Sequence, residues 1–79
     1  MKYDAELLEA TSVVLRRLRE EVDISQEELA ASSGVTRSMI DKVERRERLP
    51  SLDILIKVAP SLKLNASDIV SLIEKQLEI

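Results

Sequence analysis

The stretch over residues 25–44, SQEELAASSGVTRSMIDKVE, leaves this chain few ways to fold. Ser25 with Glu28 three positions on is a capping box: the serine hydroxyl accepts from an otherwise unpaired backbone N–H, and the glutamate reaches back to the serine's own N–H. The spacing predicts a helix starting at Gln26. Ser33, Gly34 and Val35 break it, and Gly34 is the sole glycine in the chain. A glycine enters the left-handed conformation without a Cβ clash, so the chain is expected to turn there. Thr36 then caps a second short helix that carries Met39, Ile40 and Val43.

At about 100° per residue, Arg37, Ser38, Asp41, Lys42 and Arg45 share roughly 140° of this second helix, opposite Met39, Ile40 and Val43. One face packs and the other is polar and mostly basic. An arginine at the start of an exposed helix can pair bidentately with guanine, and serine, lysine and aspartate can reach other base edges or phosphates. The plain alternative is a solvated face with an Arg37–Asp41 pair at i,i+4 spacing. The preceding helix and turn weigh toward nucleic acid.

Taken together, these residues resemble the lambda-repressor/Cro-like (XRE-type) helix-turn-helix transcriptional regulators. The resemblance rests on Leu15, Leu18 and Arg19 in LRRLRE, on SQEELA over residues 25–30, on Gly34-Val35-Thr36-Arg37-Ser38, on Ile40 and Glu44, and on Pro50-Ser51-Leu52 with Leu55 and Ala59. In length the chain is nearest to small restriction–modification controller proteins and phage-type repressors. The resemblance implies an all-α, lambda-repressor-like domain of about five helices that binds a short double-stranded DNA operator. Arg37, Ser38 and Lys42 would read bases, with Asp41 at a cytosine. Thr36, Arg45, Arg46 and Arg48 would hold the DNA backbone, and Gln26 would either join them or buttress the reading helix. Arg19 and Glu44 occupy positions that form an internal ion pair in the family; the alternative is two solvated charges. Asp23 and Arg46 stand where the family usually has glycine. Asp23 tolerates the left-handed region, whereas at Arg46 either the helix runs on or the residue takes a strained conformation. Some family repressors present acids to RNA polymerase where Glu27 and Glu28 stand, which adds RNA polymerase as a candidate partner.

Composition narrows the function classes. The chain has 79 residues, 44% hydrophobic and 34% charged, which suits one globular domain spanning 1–79. It has no cysteine and no histidine, so thiolate metal sites, disulfides and the usual general base are absent, and neither an enzyme nor a cofactor is implied. The net charge of -3 looks wrong for a DNA ligand, but the charges are segregated. Arg37, Lys42, Arg45, Arg46 and Arg48 fall close together, with Arg16, Arg17 and Arg19 as additions, while acids gather at both ends and over residues 20–28. No stretch reads as a signal peptide or membrane span, so a cytoplasmic location is expected.

The remaining helices follow from caps and periodicity. The first is expected over 5–22, capped by Asp4, with a core stripe of Leu8, Thr11, Leu15, Leu18 and Val22; Leu7 and Val14 fall off the stripe and are left for a partner. Ser51 caps a fourth helix with Leu52, Leu55, Ile56 and Ala59 at core spacing, which Pro60 must kink or stop. Asn65 and Asp68 start the last helix, over about 66–78. So small a chain has a marginal core, and burial against a second copy is a natural remedy. Ile69, Leu72, Ile73, Gln76 and Leu77 line one side of the last helix, and Ile54 is apolar where the family is more often polar. These residues are the expected homodimer interface. The rival reading is a protein-interaction module, an antitoxin or adaptor, favoured by the acidic surface and the apolar last helix.

Overall fold

A computed structural model describes residues 4–78; the expected bounds 1–79 extend past it at both ends, and those four residues lie outside the described part. The described residues form five helices, α1 (Ala5–Glu21), α2 (Gln26–Ser33), α3 (Arg37–Glu44), α4 (Leu52–Val58) and α5 (Ala66–Leu77), with a 3-10 turn at Pro60–Leu62 before α5. No strand occurs among the described residues, and none of their helices is long and apolar enough to cross a membrane.

The helix starts obey the sequence. Asp4 Oδ1 accepts from Leu7 N at 3.0 Å, Ser25 and Glu28 form the reciprocal box, and Thr36 Oγ1 accepts from Met39 N at 3.2 Å. At α5, Asp68 Oδ2 accepts from Asn65 N at 2.9 Å. Ser51 differs: it occupies the cap position of α4, but its hydroxyl donates to the Asp53 carboxylate instead of accepting from the helix.

α1, α2, α3 and the 3-10 turn are each followed by a left-handed residue, and only one of these is glycine. Gly34 closes α2 at φ 78°, and a Cβ there would meet no atom within 4 Å, so the requirement for glycine is conformational and not steric. Asp23, Arg46 and Lys63 take the same region at φ 57°, 65° and 62°. At Arg46 the second of the two expected outcomes holds. Its N–H bonds to Val43 O at 3.2 Å and that of Glu47 to Lys42 O at 2.9 Å, the paired closure that a left-handed residue just past a helix end makes possible. Pro60 stops α4 rather than kinking it, since proline cannot supply the N–H that the next helical bond needs.

One core joins all five helices through Ala10, Val14, Leu29, Val35, Ile40, Leu55, Val58, Ala59, Leu62, Ile69 and Ile73. α1 packs chiefly on α5 and α3, and α2 crosses α3 and α4. Three expectations need correction. Thr11, Leu15, Leu18 and Val22 are buried or packed on the core as expected, but Leu8 lies outside it, and Val14 and Leu7, expected off the stripe, belong to it, so the inner face of α1 is wider than the one expected. On α4, Leu52 and Ile56 are 69% and 56% exposed, and Ile54 and Val58 take their place inside. That helix is apolar almost all round, so periodicity alone could not select its inner face. On α5, Ile69 is 0% exposed and Ile73 is buried. Neither can lose surface to a second copy, because each has already lost it to its own core. Ile54 likewise faces inward, beside Met39 and Pro50.

Candidate nucleic-acid interface

α3 is amphipathic across its width. Ile40, Val43 and Glu44 are buried, Met39 is half-buried, and Arg37, Ser38 and Lys42 are exposed. The inward hydrophobic side chains bind the helix to α1, α2 and the core, so its backbone cannot rotate and the outward side chains keep a fixed bearing.

Glu44 anchors the arrangement from the end of α3. Its side chain is 2% exposed, and Arg19 closes on it bidentately, Nε donating to Oε2 at 2.7 Å and Nη2 to Oε1 at 2.9 Å. Gln26 Nε2 donates to the same Oε1 at 3.1 Å. Arg16 adds Nη2 to the Glu44 backbone carbonyl at 3.1 Å, a cation on the end of α3 where the helix dipole favours one. Arg19 also donates to Ile24 O at 2.8 Å, tying α1 and the turn before α2 into the same cluster. Burial works against the charge on Glu44, but the hydrogen bonds from Arg19 and Gln26 and the charge of Arg19 outweigh it and hold the carboxyl below its ordinary range. The same hydrogen bond, against burial, raises Arg19. Among the described residues no buried side-chain nitrogen or oxygen lacks a partner. Gln26 thus takes the buttressing alternative, its amide turned inward.

The cations expected at the DNA backbone lie together past the end of α3. Arg45, Arg46 and Arg48 are exposed, as is Thr36 at the other end, whose hydroxyl accepts from Met39 N and keeps its own proton to donate. Arg45 is held by Asp41 at 3.5 Å and Glu47 at 3.3 Å, and Arg46 lies 3.8 Å from Glu9. Asp41 therefore spends its carboxylate on its own helix. Of the two arginines at i,i+4 spacing it takes Arg45 and not Arg37, which accords with the preference for an acid N-terminal to its base. Arg37 instead forms an ion pair with Glu27, its Nε 2.7 Å from Oε1. That cross-helix pair was not legible in the spacing, and neither was the part Arg16 plays at Glu44. With Glu44 neutralised inside, the surface over residues 37–48 sets five cations against Asp41 and Glu47, and the acidic total of the chain is no obstacle.

Comparison with known proteins places this geometry. The helix-turn-helix family model HTH_3 matches residues 15–69. An uncharacterized HTH-type transcriptional regulator of Mycobacterium tuberculosis is 38% identical over 52 residues, which cover 66% of this chain and 37% of that protein, so the chain spans little more than a third of its length. The crystal structure of the restriction–modification controller protein C.AhdI from Aeromonas hydrophila superposes with a TM-score of 0.75 at 36% identity, covering 84% of this chain and 98% of that one. The clp gene regulator ClgR from Corynebacterium glutamicum superposes with a TM-score of 0.81 at 25% identity, covering 91% and 77%. The scaffold that holds Arg37, Ser38 and Lys42 outward is therefore a shared one, and the chain belongs to the XRE-type, lambda-repressor/Cro-like helix-turn-helix family of transcriptional regulators.

Proposed function

We propose that this chain binds a near-palindromic DNA operator as a homodimer and acts in the cytoplasm as a repressor or autoregulator. The observation that carries the reading is the two-sided α3, with Arg37, Ser38 and Lys42 outside and Ile40, Val43 and Glu44 locked inside. Likeness to a restriction–modification controller and to a clp gene regulator supports transcriptional control as the outcome. The purified protein should enrich, from random duplexes, two inverted half-sites about 34 Å apart, one turn of DNA. Recovery of no sequence preference overturns the proposal.

Arg48 has no ion-pair partner among the described residues, so its charge is available to a phosphate. Arg48→Ala should weaken operator and random DNA alike and reduce the salt slope of binding by about one unit. An unchanged slope means that Arg48 touches no phosphate.

The second copy would dock on the apolar surface left exposed by α4 and α5. Among the described residues, Leu52, Ile56, Val70 and Leu77 are the large hydrophobic residues left in water, with Leu72 and Gln76 half-buried beside them in sequence. Of the interface first expected, Leu72, Gln76 and Leu77 stay and Ile54, Ile69 and Ile73 drop out. Burying such residues yields about 25 cal/mol per Å². Leu77→Asp and Ile56→Asp should shift the protein to monomer in sedimentation and weaken operator binding without unfolding it, because neither side chain is core. Variants that stay dimeric at micromolar concentration place the interface elsewhere. A contact between RNA polymerase and the acids of α2 has less support, since Glu27 is paired with Arg37 and Glu28 with the Ser25 N–H at 2.9 Å.

A further inference from the structure

Glu27 stands on the first turn of α2, yet its carboxylate serves the first residue of α3, forming an ion pair with Arg37 in which Oε1 lies 2.7 Å from Nε. The two side chains are 70% and 59% exposed. An ion pair so open to water adds little to stability, and the consequence of this one is orientation. A guanidinium carries its five N–H donors in a rigid planar fork. With the Glu27 carboxylate set against the Nε side, the two terminal Nη groups remain outside the ion-pair contact, and a terminal pair presented end-on matches O6 and N7 of guanine in the major groove. The carboxylate also repels phosphate oxygens, the default partners of an unguided arginine on DNA. Asp41, which could have held Arg37 by spacing, is taken by Arg45. Gln26, next to Glu27, turns the other way to Glu44, so consecutive residues of α2 grip α3 at its two ends.

We propose that Glu27 is a positioning residue that presents Arg37 end-on to a guanine and keeps it off phosphate, setting the specificity of the protein and not its stability. The proposal rests on Arg37 being a base reader. Wild type, Glu27→Ala, Glu27→Gln, Arg37→Ala and the double variant Glu27→Ala/Arg37→Ala are each used to select duplexes from a random pool. Each is then titrated on the best wild-type site and on random DNA, with thermal melting alongside.

Glu27→Ala should melt near wild type, bind random DNA at least as tightly, lose about tenfold in the ratio of site to random affinity, and relax the guanine preference at one position per half-site. Glu27→Gln, which keeps an acceptor oxygen without the charge, should retain the guanine preference while binding random DNA more tightly. In the Arg37→Ala background, Glu27→Ala should change the ratio no further. Selection of the same guanine by Glu27→Ala at an unchanged ratio overturns the proposal, as do losses from the two single variants that multiply in the double. If Arg37→Ala relaxes the preference and Glu27→Ala does not, the role of Glu27 alone is refuted. If Arg37→Ala leaves the ratio intact, the base-reading assignment falls and takes this proposal with it.

Discussion

Glu44→Ala should lower the stability of the fold by about 3–5 kcal/mol, the range for removing one partner of a buried ion pair. The loss is large because the substitution does more than delete a charge. It leaves the Arg19 guanidinium and the Gln26 amide facing a gap, with only Ile24 O still accepting from Arg19. Arg16 matters less, being half exposed and keeping its bond to the backbone carbonyl. Domains of this size hold about 5–15 kcal/mol in total, and each kcal/mol moves the melting temperature by about 4–8 °C, so the midpoint should fall by roughly 12 °C or more. Glu44→Gln, which keeps the shape and one acceptor oxygen, should lose less. A Glu44→Ala protein that melts within a few degrees of wild type means that the cluster is spectator to folding.

The same residue predicts an acid limb. Its folded-state carboxyl lies below the ordinary value, so its contribution is complete above the ordinary carboxylate range and disappears as pH falls through that range toward the lowered value. Wild-type stability should therefore decline below about pH 5. In Glu44→Gln that part of the slope should be missing, which chemical denaturation at several pH values would detect. Equal slopes in the two proteins rule out the assignment.

Arg37→Ala should cost about 1–3 kcal/mol at the operator and remove the preference for one base pair in each half-site, while leaving binding to random DNA and the melting temperature near wild type. The distinction from Arg48 is geometric. Arg37 starts the helix whose outer face would enter the groove, whereas Arg48 sits in the segment after it. Equal losses on operator and random DNA would make Arg37 a backbone contact instead.

Local chemistry carried most of the fold into view. Capping residues are read by their own backbone within three positions, so Asp4, Ser25 with Glu28, Thr36 and Asn65 with Asp68 located four helix starts, and Gly34 located the turn. The left-handed Asp23 and Arg46 were marked only by the family resemblance, which puts glycine at both, and at Arg46 the sequence left two outcomes open. Faces were harder where apolar residues run nearly all round, as in α4, or where they flank the expected stripe, as Leu7 and Val14 do in α1. Which stripe goes inside depends on helices distant in sequence. Interactions between elements were least legible of all. The Glu27–Arg37 pair joins residues ten positions apart across a turn, and nothing in either helix alone distinguishes it from a dozen other pairings of opposite charge.

The separation of inward and outward side chains on α3 also bears on how such a protein could change its target over time. Positions 37, 38 and 42 are exposed, so if they read bases as proposed, exchange there would alter the preferred sequence while leaving the core intact. Ile40, Val43 and Glu44 allow no such freedom. On that proposal, a lineage built on this helix would acquire new binding addresses one substitution at a time, with the cost of innovation kept off the fold.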